Sequence, residues 1–140
     1  MASLFLLVSC RHSPNDKVQG TTAQIARAVE MTRLSSNHDK RAWLNRLRHL
    51  TCPSEDVCQL RDTCVKAYDE HLSALAAIEQ AQRDIGVPSD SGDVPDASPE
   101  SLLKAVSLAQ TAQRQLARAR RLTQACAEYE AVIRERYRLH

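Results

Sequence analysis

The sequence predicts an all-α protein: an antiparallel bundle of three main helices, the first broken or kinked, the last two forming a long helical hairpin. Three observations carry this. Of 140 residues only 3 are Gly and 4% are aromatic, so helix-forming Ala, Leu, Arg, Gln and Glu dominate. Apolar residues recur at three- and four-residue steps over long windows instead of alternating. Start signals made of a capping side chain, Pro and an acid sit where those windows open. A chain this long fits one domain with one core.

The expected layout is an apolar, signal-like segment over residues 1–9, a polar tether over 10–20 ending at Gly20, and one helical-bundle domain over 21–140. Thr21-Thr22-Ala23-Gln24 has the form of a capping box. It opens a segment through Ile25, Ala28, Val29 and Leu34. Ser35-Ser36-Asn37 interrupts that segment, and Ser36 or Asn37 caps a second one bearing Trp43, Leu44, Leu47 and Leu50. Two short helices or one kinked helix follow from this.

Thr51-Cys52-Pro53-Ser54-Glu55-Asp56 sets capping side chains, a first-turn Pro and carboxylates on the positive end of the next helix dipole. That helix should run to about Ile85 and stop at Gly86, with Pro88 beyond. It has two apolar edges: Val57, Leu60, Cys64, Tyr68, His71, Leu75, Ile78 and Ile85 on one, Cys58, Val65, Leu72 and Ala76 on the other. A helix with two such edges lies between two neighbours. The loop spans 86–98, and Ser98-Pro99-Glu100 opens the last helix. Its seam steps through Leu102, Val106, Ala109, Ala112, Leu116, Ala119, Leu122, Cys126, Tyr129, Ile133 and Tyr137. At 1.5 Å per residue this is a rod of roughly 60 Å.

The cysteines test the hairpin geometry. Folding about a loop centred near residue 92 makes facing numbers sum to about 184 and sets Cys126 opposite residue 58, with Cys64 less than two turns away. Cys64 shares the stripe most continuous with a partner seam. The favoured pairs are therefore Cys64–Cys126 between the long helices and Cys52–Cys58 at the turn. The other pairing, Cys58–Cys126 with Cys52–Cys64, asks for a longer reach. On a chain-entropy estimate the two favoured bridges contribute about 4 and about 2 kcal/mol. Both are large beside a typical stability of about 5–15 kcal/mol.

Other chemistry is thinner. Cys58, Cys64 and His71 share a helix, but six-residue gaps match neither zinc-pair nor haem spacing. Asp90, Asp93 and Asp96 with Glu100 lack the alternation of a calcium loop, and Pro95 stiffens them. Arg114, Arg118, Arg120 and Arg121 form one basic belt and Lys40, Arg41, Arg46 and Arg48 another. Either is suited to an anionic surface or an envelope protein partner, against the plainer reading of a solvated face with pairs such as Asp62–Lys66 and Glu79–Arg83. Net charge is +2, which points to no nucleic-acid partner. No catalytic triad, paired-carboxylate cleft or phosphate loop is visible, so an enzyme is not expected, and no cofactor is implied.

Residues Leu4-Phe5-Leu6-Leu7-Val8-Ser9-Cys10 are a short apolar run ending in a small residue and a cysteine, followed by Arg11-His12-Ser13-Pro14-Asn15-Asp16. Leu7-Val8-Ser9-Cys10 resembles the lipobox of bacterial lipoproteins. The resemblance implies a cleaved signal, acyl chains on Cys10, and a place in the cell envelope on the periplasmic side. Arg11, where inner-membrane retention often uses Asp, implies the outer membrane over the inner. The run is too short to span a bilayer, which takes about 20 apolar residues. With Cys10 acylated, Cys52, Cys58, Cys64 and Cys126 remain, an even set suited to an oxidising compartment. The functional expectation is a membrane-anchored structural or protein-interaction module. The alternative is a cytosolic helical binding module holding a metal with Cys58, Cys64, His71 and Cys126. A third reading is coiled-coil oligomerisation through the overhang of the last helix.

Overall fold

A computed structural model describes residues 14–85 and 98–139. The described residues form four helices and no strand: α1 (Pro14–Leu34), α2 (Asn37–His49), α3 (Glu55–Asp84) and α4 (Pro99–Tyr137). The all-α bundle, its broken first element and the α3–α4 hairpin are as the composition and periodicity predict. Signal-like residues 1–9, Cys10 and most of the loop lie outside the described residues.

The tether is one correction. Residues 14–20 are already helical, so α1 starts at Pro14, with Asp16 in its first turn. Pro14-Asn15-Asp16 is itself a start signal, with Pro suited to the first helical position and an acid on the dipole. Thr21 and Thr22 cap nothing; their hydroxyls donate back to the carbonyls of Lys17 (3.0 Å) and Val18 (2.8 Å) inside the helix. A capping box and mid-helix back-bonding use the same residue types, which is why the pattern misled.

The break between α1 and α2 is built by two side chains. Ser36 caps α2, its Oγ accepting from the Asp39 N–H at 3.2 Å while its hydroxyl donates to the Asp39 carboxylate. Lys40, which the sequence assigns to a surface basic belt, is only 6% exposed. Its ammonium donates to the carbonyls of Thr32 (2.7 Å) and Arg33 (3.3 Å), the last turn of α1, and lies 5.4 Å from the Tyr68 ring centre on α3. Cations are favoured at a helix C-terminus. One buried charge thus fixes the kink and docks it on α3.

The hairpin meets on its smallest side chains. Ala105, Ala112, Ala119, Cys126 and Ile133 recur every seven residues along α4 and all are buried. Leu60, Ala67, Ala74 and Ala81 do the same along α3. Strict seven-residue spacing keeps one line of contact facing the partner helix. This shifts the predicted seam: Leu102 and Val106 are 47% and 55% exposed, Leu103 is 73% exposed, and Ala109 is exposed as well. Large residues were expected inside, but helices approach closely only where side chains are small. The register moves too. Lys104–Asp84, Gln115–Ser73, Arg118–Glu70 and Tyr129–Gln59 all pair across the hairpin, and each pair of numbers totals 188, not about 184. Side-chain phase on each helix sets which residues face, not the midpoint of the loop.

The larger apolar core lies at one end, where Ile25, Val29, Leu44, Leu47, Val57, Leu60, Tyr68 and Ile133 pack together. Toward the 86–97 loop the two long helices rely on Ala81, Ala105 and Ala112 instead.

This contact line is directly testable. Ala112→Leu should destabilise the protein by about 1–3 kcal/mol through overpacking, whereas Ala109→Leu, one helical step away and exposed, should change stability by less than about 0.5 kcal/mol. Denaturant unfolding followed by circular dichroism separates them.

Candidate functional site

Cys64 on α3 and Cys126 on α4 are joined, with S–S 2.03 Å and Cα–Cα 4.9 Å. Both are buried within the core cluster, beside Leu60, Tyr68 and Ile133. Cys64 reaches this position because its stripe on α3 continues Val57 and Leu60, both fully buried. The bond consumes two sulfurs of the Cys58, Cys64, His71 and Cys126 set proposed for a metal, so that set cannot act together. Among the described residues no group of three His, Cys, Asp or Glu side chains is arranged to hold a metal ion. The alternative Cys58–Cys126 and Cys52–Cys64 pairing is likewise not what the structure contains.

Cys52 and Cys58 are not bonded to each other in the structure; both are free thiols and half-buried, which corrects the expected second bridge. The two thiols are near enough to act on each other, and the Arg61 guanidinium acts on both sulfurs. The segment between them is held without a covalent link. Arg61 Nη1 donates to the Leu50 carbonyl at 2.8 Å, and the Cys58 N–H donates to the Ser54 carbonyl at 3.0 Å. Burial pushes the Cys52 thiol up to about 11, helped by the neighbouring Cys58 and opposed by Arg61.

Two polar clasps escaped the sequence reading. Glu130, 3% exposed, accepts from Arg134 Nε (2.9 Å) and from Arg33 Nη1 on α1 (3.3 Å), while Arg134 also reaches Glu30 at 3.4 Å. A buried carboxylate needs such partners. Its signal was its place, four residues before Arg134 and three before the buried Ile133. The second clasp joins the start of α3 to the end of α4. Asp56 accepts from Arg136 Nη1 at 2.6 Å, from Tyr137 Oη at 3.2 Å, from its own neighbour Val57 N–H at 2.9 Å, and from Ser54 Oγ. The Ser54 hydroxyl bond and the Arg136 and Val57 bonds hold the Asp56 carboxyl below its ordinary value against the opposing effect of burial. Ser54 Oγ donates to this carboxylate and lies 3.0 Å from Tyr137 Oη, which completes the clasp.

The members of the two basic belts have different surroundings. Arg118 pairs with Glu70 at 3.2 Å, and Arg114 Nη2 donates to Thr111 Oγ1 at 3.3 Å. Arg114, Arg118 and Arg121 follow one stripe by their spacing, while Arg120 is turned about 100° from Arg121. In the other belt Lys40 is buried, Arg48 grips both oxygens of Asp69 (2.8 and 2.7 Å), Arg46 stacks 5.4 Å from the Trp43 ring centre, and Arg41 is exposed. Asp62 pairs with Arg61 at 2.8 Å in place of Lys66, and Arg83 bonds Gln80 in place of Glu79. His71 is half-buried, its imidazole pushed down by burial and by the nearby Lys40 charge. Glu100 is exposed in the first turn of α4; Asp90, Asp93 and Asp96 lie outside the described residues.

Concavities are shallow. One groove of about 760 Å³ between α2 and α3 is lined by His38, Arg41, Asn45, Arg48, Asp69 and Ser73 and is open to solvent. No described helix is long and apolar enough to cross a membrane. Together these features define a small helical bundle whose long hairpin is closed by a buried disulfide. Compared with known proteins, the chain matches no family model, no curated protein and no solved structure.

Two outcomes follow from this geometry. Replacing Cys64 and Cys126 together by Ala should lower unfolding stability by about 4 kcal/mol, measured against the oxidised protein in denaturant. The Asp56 carboxyl is depressed in the folded state, so its contribution is present above the unfolded value and is lost as pH falls through the folded one. The wild-type melting temperature should therefore drop more steeply than that of Asp56→Asn as pH is lowered from about 5 toward about 2.

Proposed function

We propose that this chain is a small envelope lipoprotein, anchored through acylated Cys10, that acts as a structural or protein-interaction module. The observation that carries the reading is the Leu7-Val8-Ser9-Cys10 run with the bundle starting directly after it. Only residues 11–13 separate Cys10 from α1, a span of at most about 14 Å. A bundle so attached sits against the lipid surface.

That short link also orients the molecule. Gln19 near the start of α1 bonds the Tyr137 carbonyl at the end of α4 (3.1 Å), so the anchored end is where α1 begins and α4 finishes. Lys17, Arg136 and Arg138 are exposed there beside Asp16 and Glu135, a basic excess of the sign that anionic headgroups attract. The hairpin then points away from the membrane. Its far end carries the exposed Leu102, Leu103 and Val106, and no charged residue falls between Ala105 and Gln113. Exposed apolar side chains suit contact with another envelope protein. The buried Cys64–Cys126 bond supports export, since such bonds persist in oxidising compartments. By the resemblance of Arg11, the site is the outer membrane. The reading assigns the module no catalysis and no cofactor.

Mass spectrometry of the N-terminal peptide from native membranes tests the proposal. It should begin at Cys10 and carry acyl chains. A native peptide beginning at unmodified Met1 or Ala2 overturns it.

A further inference from the structure

The cysteines divide into two kinds. Cys64 and Cys126 are sealed in the core, whereas Cys52 and Cys58 are half-buried free thiols near enough to act on each other. Cys58 also lines an open groove of about 570 Å³ with Glu55, Gln59, Asp62, Thr63 and Lys66. A disulfide-bearing molecule can therefore approach Cys58 from solvent. Cys52 stands on the preceding segment, which Arg61 holds through the Leu50 carbonyl at 2.8 Å. The same guanidinium acts electrostatically on both sulfurs, favouring whichever is the thiolate.

We propose that Cys52 and Cys58 form a reactive dithiol that exchanges with low-molecular-weight disulfides, Cys58 attacking first and Cys52 resolving. In the first step the Cys58 thiolate attacks one sulfur of the donor R–S–S–R, forming Cys58–S–S–R and releasing one thiolate, which takes up the proton Cys58 lost. In the second, Cys52 gives up its proton and attacks the Cys58 sulfur, forming Cys52–S–S–Cys58 and releasing the second thiol. Two protein thiols are oxidised and one donor disulfide is reduced to two thiols. The site does not depend on the lipid anchor and would work in any compartment that supplies the donor.

The order of attack has a second support. Burial pushes the Cys52 thiol up, so it presents less thiolate than an unburied thiol and attacks an outside disulfide more slowly. It is better placed as the resolving group, where Cys58 is already its neighbour.

Oxidised glutathione is the probe, applied to the full-length protein with timed acid quenching and tryptic mapping. Cys52 and Cys58 share the peptide spanning residues 49–61, so the internal bond appears as that peptide's loss of two hydrogens. Cys10 and the Cys64–Cys126 bond fall on other peptides. The expected course is transient glutathione on Cys58, then the internal bond with Cys64–Cys126 unchanged. Cys52→Ser should trap glutathione on Cys58. Timed alkylation of the unsubstituted protein needs no variant and should mark Cys58, which lines the open groove, faster than Cys52. The proposal is overturned if Cys52 is alkylated as fast as Cys58, if glutathione stays on Cys58 without resolution, or if neither thiol reacts.

Discussion

The structure depends on how closely two long helices can approach. α3 and α4 carry Ala at seven-residue intervals, and where Cys64 meets Cys126 their backbones are 4.9 Å apart at Cα. Alanine allows this approach but contributes little, because each buried methyl removes only a small apolar area from water. A contact line of this kind gains specificity from what flanks it. Here the covalent bond joins the helices at one point, and the Lys104–Asp84, Gln115–Ser73, Arg118–Glu70 and Tyr129–Gln59 pairs hold a single alignment along the hairpin. Exposed pairs contribute little stability each. Their value lies in agreeing on one alignment.

The broken first element is held onto this rod by charge in dry surroundings. Lys40 satisfies carbonyls at the end of α1, and Glu130 gathers Arg33 and Arg134 between α1 and α4. Removing one partner from such a group leaves an uncompensated polar atom in the interior, which costs more than the contact itself contributes. These residues thus specify where α1 and α2 sit, while Ile25, Val29, Leu44 and Leu47 supply the apolar burial. Both clasps and the main core gather at the end where α1 begins and α4 finishes. The opposite end is slender and leaves Leu102, Leu103 and Val106 exposed.

That asymmetry unites the functional readings. In the proposed lipoprotein, a short link from Cys10 to Pro14 would set the well-packed end beside the anchor and the slender end outward. The two kinds of cysteine follow the same division of labour. One pair is shut inside the hairpin and serves its geometry. The other lies at the α2–α3 turn, where solvent reaches Cys58 and the backbone is already held by hydrogen bonds.

The sequence by itself determined the local terms. Scarce Gly, long three-and-four periodicity, the Ser98-Pro99-Glu100 start and the serine-rich break near Ser36 report the helices, because capping and periodicity are properties of neighbouring residues. The placement of Cys64 on the inner stripe of α3 was legible for the same reason. Tertiary structure decided what depends on distance between segments. It selected Ala105, Ala112 and Ala119 over Leu102 and Val106 as the contact line, because approach distance rewards small side chains that a hydrophobicity pattern ranks low. It buried Lys40 and Glu130 by bringing up partners from other helices, the α1 carbonyls for Lys40 and Arg33 for Glu130, beyond what the Arg134 spacing alone signals. It also left Cys52 and Cys58 as neighbouring thiols, since spacing reports only that two sulfurs can meet, and the surrounding hydrogen bonds settle whether they must.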